Sequence, residues 1–127
     1  MSKILIVDDE VHIRALLEQT LEELEDEGVE ILTASNGAEG LDLIQREAPD
    51  LVFLDVMMPQ MNGYDVCRTV KKDLAIDDVF IVMLTAKGQE VDREQGLDVG
   101  ADIFTTKPFD PDEIVGIAER VLGLDDP

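Results

Sequence analysis

The chain has 127 residues, the size of one domain, and 45% of them are hydrophobic, enough for one core and too many for a disordered chain. Lys and Arg number 10 against 30 Asp and Glu, a formal charge of −20, so the surface repels phosphate backbones and the domain is not expected to bind nucleic acid. No apolar run approaches the roughly 20 residues that span a bilayer, and MSKILIVDDE lacks the features of a signal or transit peptide, which leads to the expectation of a soluble cytoplasmic protein with no membrane partner. The acidity reads either as a device for solubility or as adaptation to a high-salt source, where ions screen the self-repulsion.

In chain order, Lys3–Val7 (KILIV) reads as a strand. Val11–Leu24 places Ile13, Leu16, Leu17, Thr20, Leu21 and Leu24 on one helical face. Glu30–Ala34 is a second strand. Asn36 with Glu39 reads as a capping box that opens a helix through Leu41, Ile44 and Ala48, ended by Pro49. Leu51–Leu54 (LVFL) is a third strand without a polar residue. A helix from Gly63 to about Leu74 turns Val66, Cys67, Val70 and Leu74 to one side. Phe80–Leu84 (FIVML) is a fourth apolar strand, Gln89–Val99 a weaker helix, and Ile103–Thr106 a short fifth strand. Asp110, Pro111 and Glu113 supply a cap, a first-turn proline and a capping-box acid to a last helix with Ile114, Ile117, Ala118, Val121 and Leu122 inward.

Strands that are apolar throughout are buried on both faces. The repeated strand–helix alternation therefore predicts a doubly wound α/β fold, a parallel sheet between two layers of helices. Residues 1–124 read as one domain and 125–127 as a tail or the start of a linker. The lone thiol, Cys67, reads as core packing, since one cysteine forms no internal disulfide.

Open α/β sheets bind ligands beyond the carboxyl ends of their strands. Asp8, Asp9 and Glu10 follow the first strand, Asp55 the third, Thr85 and Ala86 the fourth, and Lys107 and Pro108 the fifth. Carboxylates crowded there raise one another's pKa and call for positive charge. A hard divalent cation with oxygen ligands supplies it, and Lys107 adds a point charge. A cation and an ammonium beside a carboxylate suit phosphoryl transfer, with Asp55 as the nucleophile on a rigid strand.

The ordered set Asp8-Asp9, Asp55, Thr85-Ala86 and Lys107-Pro108 resembles the receiver domains of two-component response regulators, including stand-alone chemotaxis-type receivers. So do the strings ILIVDDE, DLVFLDVMMPQMNGYD, VMLTAKG and GADIFTTKPFDP. The resemblance implies a flavodoxin-like (βα)5 three-layer sandwich with strand order 2-1-3-4-5. It implies that Asp55 accepts a phosphoryl group from the phosphohistidine of a histidine kinase or phosphotransfer protein. It further implies Mg²⁺ or Mn²⁺ held by Asp9, Asp55 and the backbone carbonyl of Met57, with Asp8 acting through a metal-bound water. Thr85 and Lys107 would each take a phosphoryl oxygen, Phe104 would be an aromatic switch coupled to Thr85, and the bond before Pro108 would be cis. The face from about Lys87 to Leu122 (fourth predicted helix, fifth strand, last helix) would dock a downstream protein or a second phosphorylated copy. The domain would assist its own phosphorylation without being an enzyme in the ordinary sense. The apolar Met57 beside the acceptor, unable to orient a water, implies slow self-dephosphorylation.

Each residue also has a plainer role. Asp8 and Asp9 could cap the first helix, Asp55 could be a turn residue, Thr85 a helix starter, Lys107 a surface lysine and Phe104 core, while His12 reads as solvated. A flavin binder on this fold needs a neutral glycine-rich loop after the first strand, where Asp8-Asp9-Glu10 stands. Aspartate phosphatases use a D-x-D pattern there instead. Two alternatives stay open: a receiver-shaped interaction module that is never phosphorylated, and the receiver part of a longer regulator with a DNA-binding or cyclase output.

Overall fold

A computed structural model of the chain describes residues 2–86 and 98–124. Strands β1 (Lys3–Val7), β2 (Glu30–Ala34), β3 (Leu51–Asp55), β4 (Phe80–Ala86) and β5 (Ile103–Lys107) form one parallel sheet in the order β2-β1-β3-β4-β5. Helices α1 (Val11–Leu21), α2 (Gly37–Glu47), α3 (Gly63–Arg68) and α4 (Pro111–Leu122) flank it. This is the expected flavodoxin-like order. Residues 89–97 of the predicted weaker helix, and residues 125–127 of the tail, lie outside the described residues.

The two-residue period of the strands sorts the core into two layers. Leu5, Val7, Val52, Leu54, Ile81 and Met83 point to one side and pack with Ile44 of α2 and with Val66 and Cys67 of α3. Ile4, Ile6, Leu51, Phe53, Val82 and Leu84 point to the other and meet Leu17 and Leu21 of α1 and Ile114, Ile117 and Ala118 of α4. The central strands are apolar through Leu51–Leu54 and Phe80–Leu84 because both of their faces are covered, whereas the edge strands β2 (EILTA) and β5 (IFTTK) carry polar residues. Cys67 donates its thiol hydrogen to the carbonyl of Val99 at 3.5 Å, and burial pushes its pKa up to about 11, which leaves a packing residue with little thiolate character. Among the described residues no helix is long and apolar enough to cross a membrane.

Several local expectations need correction. Leu16 is 45% exposed, because α1 rests on the sheet through Leu17 and Leu21, with Ile13 packed beside them, and Leu16 lies off that line. The helix ends at Leu21, and Glu22–Glu27 tighten into a 3-10 turn closed by Gly28 at φ +86, which still carries Leu24 into the core. Acids crowded on a helix C-terminus oppose the dipole there, so continuing the α-helix through them is unfavourable. Leu74 is 40% exposed: α3 widens after Arg68 into a π turn over Thr69–Asp73, whose closing bond runs from Leu74 N–H to Thr69 O, and the extra residue rotates Leu74 off the inner face.

The caps differ too. Asn36 accepts from Glu39 N–H at 2.8 Å, but the Glu39 carboxylate takes Ser35 N–H at 2.5 Å rather than Asn36 N–H. A complete reciprocal box forms at Asn62 and Asp65 instead, at the start of α3. At α4 Asp110 caps Asp112 N–H at 2.9 Å and Pro111 opens the helix, as expected. Glu113, however, accepts the hydroxyl hydrogen of buried Thr105 on β5. That bond satisfies a hydroxyl which the core would otherwise leave unpaired.

Candidate functional site

The parallel register brings the chemistry to one edge. Asp55 ends β3 opposite Leu84, so Thr85 lies one step further along β4. Thr85 pairs with Thr106, so Lys107 lies one step further along β5. Asp8 directly follows β1, and its N–H donates to Ala34 O of β2. Four strands thus deliver side chains to the edge that the sequence pattern indicates.

Lys107 ties the group together. Its Nζ lies 2.8 Å from Asp8 Oδ2 and 3.0 Å from Asp55 Oδ1, and Glu10 Oε1 is 3.9 Å away. The Asp8 side chain is wholly buried, and its other oxygen accepts Glu10 N–H at 2.9 Å. Asp55, 3% exposed, also accepts Met57 N–H at 3.4 Å. Asp8, Asp9 and Glu10 bring one carboxylate oxygen each within 4.8 Å of one another, with Asp9 and Glu10 open to solvent. Thr85 is buried, Phe104 is half-buried against the core layer beneath α2 and α3, and the Met57 side chain is 60% exposed. The Lys107–Pro108 peptide is cis. His12 stands on the surface, 3.4 Å from Glu10.

The backbone under Asp55 depends on one glycine. A Cβ at Gly63 would stand 2.4 Å from the Asp55 carbonyl oxygen, and Gly63 N–H bonds Val56 O at 3.0 Å. The start of α3 therefore passes directly over the end of β3, and only a residue without a side chain fits.

The electrostatics are short of positive charge. Burial pushes the Asp55 carboxyl up to about 6; the Lys107 hydrogen bond pulls it down, and the charge on Asp8 pushes it up again. Lys107 is held above its ordinary value, because its hydrogen bonds to Asp8 and Asp55 outweigh the cost of burying the ammonium. One ammonium serves several carboxylates. The donor set is all oxygen, partly buried and under-neutralised, which fits a hard divalent cation such as Mg²⁺.

The family model for the response regulator receiver domain matches residues 4–119. The chain belongs to this family. Members accept phosphoryl groups, and their acidic pocket binds Mg²⁺. Over 120 residues the chain is 48% identical to the "Probable transcriptional regulator ycf27" of Porphyra purpurea, covering 94% of this chain and 47% of that protein. It is 42% identical to the alkaline phosphatase synthesis transcriptional regulatory protein PhoP of Bacillus subtilis, covering 94% and 48%. The chain thus spans about half the length of the curated relatives it matches. Among solved structures, the chemotaxis protein CheY4 of Vibrio cholerae superposes with a TM-score of 0.82 at 34% identity, covering 95% of this chain and 98% of that one.

Two residues take roles that the sequence pattern did not assign. Glu10 completes the acidic triad with Asp8 and Asp9. Arg14, one helical turn further on, reaches back to donate Nη1–H to the Asp8 carbonyl at 2.7 Å.

Proposed function

We infer that Asp55 is the phosphoryl acceptor of this receiver and that phosphorylation switches what the domain binds. The observation that carries the reading is the shared lysine: Asp55 and Asp8, both buried, meet one ammonium at the carboxyl edge of the sheet. The donor is the phosphohistidine of a histidine kinase or phosphotransfer protein. An Asp55 oxygen forms the new bond to phosphorus as the phosphorus–nitrogen bond to the imidazole breaks, and the imidazole keeps the electron pair. Asp55 attacks only as the carboxylate, which with a carboxyl near 6 is its main form at neutral pH.

Asp8, Asp9 and Asp55, with the Met57 carbonyl, are the groups we assign to Mg²⁺ or Mn²⁺; when bound, the cation offsets charge on the transferred group's oxygens. Lys107 donates to one phosphoryl oxygen and Thr85 to another. Thr85 and Phe104 sit on adjacent strands, with Met83 paired to Phe104 in register, so movement at the end of β4 is felt at the ring. The responding face comprises β5, α4 and the residues before them. We assign to it both the downstream partner and a phosphorylation-dependent homodimer. Residues 1–124 act as the receiver unit.

The test is incubation with acetyl phosphate and intact mass measurement. A product roughly 80 Da heavier is expected with Mg²⁺, absent after chelation and absent in Asp55→Asn. Labelling of Asp55→Asn to the same extent would contradict the assignment. Met57, exposed beside the acceptor, gives no hydrogen bond to an attacking water from its side chain. Met57→Asn is therefore expected to shorten the lifetime of the phosphoprotein severalfold, read as loss of the heavier species with time.

A further inference from the structure

The loop that carries the acidic triad is held at its main chain by an arginine. Among the described residues Arg14 forms no ion pair, although it reaches the loop that carries Asp8, Asp9 and Glu10. Its guanidinium binds a neutral acceptor, the Asp8 carbonyl, at 2.7 Å in a half-buried position. That carbonyl belongs to the peptide joining Asp8 to Asp9. A peptide is planar, so fixing its oxygen fixes the direction in which the Asp9 backbone continues. The other restraints on the loop act elsewhere: Asp8 N–H bonds Ala34 O, and Glu10 N–H bonds Asp8 Oδ1. Neither holds the plane between the two aspartates. The N-cap of α1, Glu10, makes no side-chain capping bond; its carbonyl accepts Ile13 and Arg14 N–H at 3.2 and 3.1 Å, which holds the far end of the loop but not the Asp8–Asp9 peptide.

We propose that Arg14 is a positioning residue for the cation: by holding the Asp8–Asp9 peptide it keeps the Asp9 carboxylate beside that of Asp8, while leaving the carboxylate oxygens for the metal. The inference rests on the cation reading of the preceding subsection. Arg14 gives its hydrogen bond to a carbonyl, so it orders the ligands while leaving their carboxylate oxygens unpaired. Lys107 does the opposite, taking carboxylate oxygens of Asp8 and Asp55.

Two influences of Arg14 on cation binding have opposite signs, which makes the test decisive. As a fixed positive charge near the site it repels Mg²⁺, so its removal on charge grounds alone tightens binding. As the holder of the peptide it aids binding, so its removal weakens it. Calorimetric titration of the 127-residue chain with MgCl2 alone, at neutral pH and fixed ionic strength, reads the outcome. In Arg14→Met the dissociation constant is expected to rise about tenfold, the range seen when a partner that orients a metal ligand is lost. Arg14→Lys keeps the charge but shortens and loosens the reach, and should fall between wild type and Arg14→Met; it also carries the test if Arg14→Met does not fold. An unchanged or tighter constant in both variants, whatever their melting temperatures, overturns the proposal. If wild type itself takes up no Mg²⁺, and Asp9→Asn behaves identically, the cation reading falls and this inference falls with it.

Discussion

Lys107→Met is expected to destabilise the domain by about 3–5 kcal/mol at neutral pH, the cost of leaving buried charge without its partner. The ammonium is the shared neighbour of Asp8 Oδ2 at 2.8 Å and Asp55 Oδ1 at 3.0 Å, and the Asp8 side chain has no exposed surface. Methionine keeps the length of the stem and removes the charge, so packing around it changes little. The carboxylates then face each other in a medium that screens them poorly. Protonation relieves this, so the deficit should shrink as pH falls and the carboxyls take up protons. The lysine's own contribution has the matching sign. Its folded pKa lies above the unfolded value of 10.5, so its stabilisation is complete below that pH and is lost only as pH rises through the folded value. Urea unfolding of wild type and variant at neutral and acid pH measures the difference. Adding Asp8→Asn to the variant should recover part of the loss, because the neutral amide leaves one buried charge fewer. Equal stabilities at neutral pH would show that the lysine is a surface residue of little consequence.

Asp55, the proposed acceptor, should carry a stability cost that its amide lacks. Burial raises the Asp55 carboxyl from 3.8 to about 6, so the folded state binds this proton more tightly than the unfolded chain does. Between these values the folded state holds more protons, and the Asp55 contribution to stability declines as pH rises through that window, then stays level. The side-chain amide of an Asp55→Asn variant carries no such charge. This variant is therefore expected to be more stable than wild type at pH 7, without added cation, by on the order of 2 kcal/mol, and to converge with it below about pH 4. Thermal melts across that pH range, with cation removed by chelator, provide the measurement. A variant less stable than wild type at pH 7 would show that the ion pair outweighs desolvation. A functional carboxylate held at a cost to the fold is what a transfer site entails, since the nucleophile must be charged and partly stripped of water to react.

The sheet was legible because its central strands are continuously apolar, and only burial on both faces explains LVFL and FIVML. Once the strands are placed, their carboxyl ends name Asp8, Asp55, Thr85 and Lys107 without any contact being known, and the structure brings Asp8, Asp55 and Lys107 into direct contact. What escaped was set by three-dimensional pairing. Leu16 and Leu74 satisfy the helical period yet stay exposed, the first because the sheet meets only part of the α1 face, the second because a π turn shifts the phase by one residue. Glu113 has the spacing of a capping acid, but a buried hydroxyl on a neighbouring strand competes for it. The Arg14 bond to the Asp8 carbonyl has no signature in a linear pattern, since any arginine on a first helical turn looks solvated. Gly63 stands in the family-like string MMPQMNGYD, but the reason for a glycine there is the Asp55 carbonyl directly beneath it.

The central claim is that phosphorus lands on one carboxylate among several. The most direct test is to phosphorylate the chain with acetyl phosphate and Mg²⁺, reduce it with borohydride, and locate the product by peptide mapping. An acyl phosphate is reduced to the alcohol, so homoserine in place of aspartate at position 55, and at no other acid, is the predicted result. Homoserine at position 8 or 9, or no reduction product from a chain that has gained the phosphoryl mass, would contradict the account.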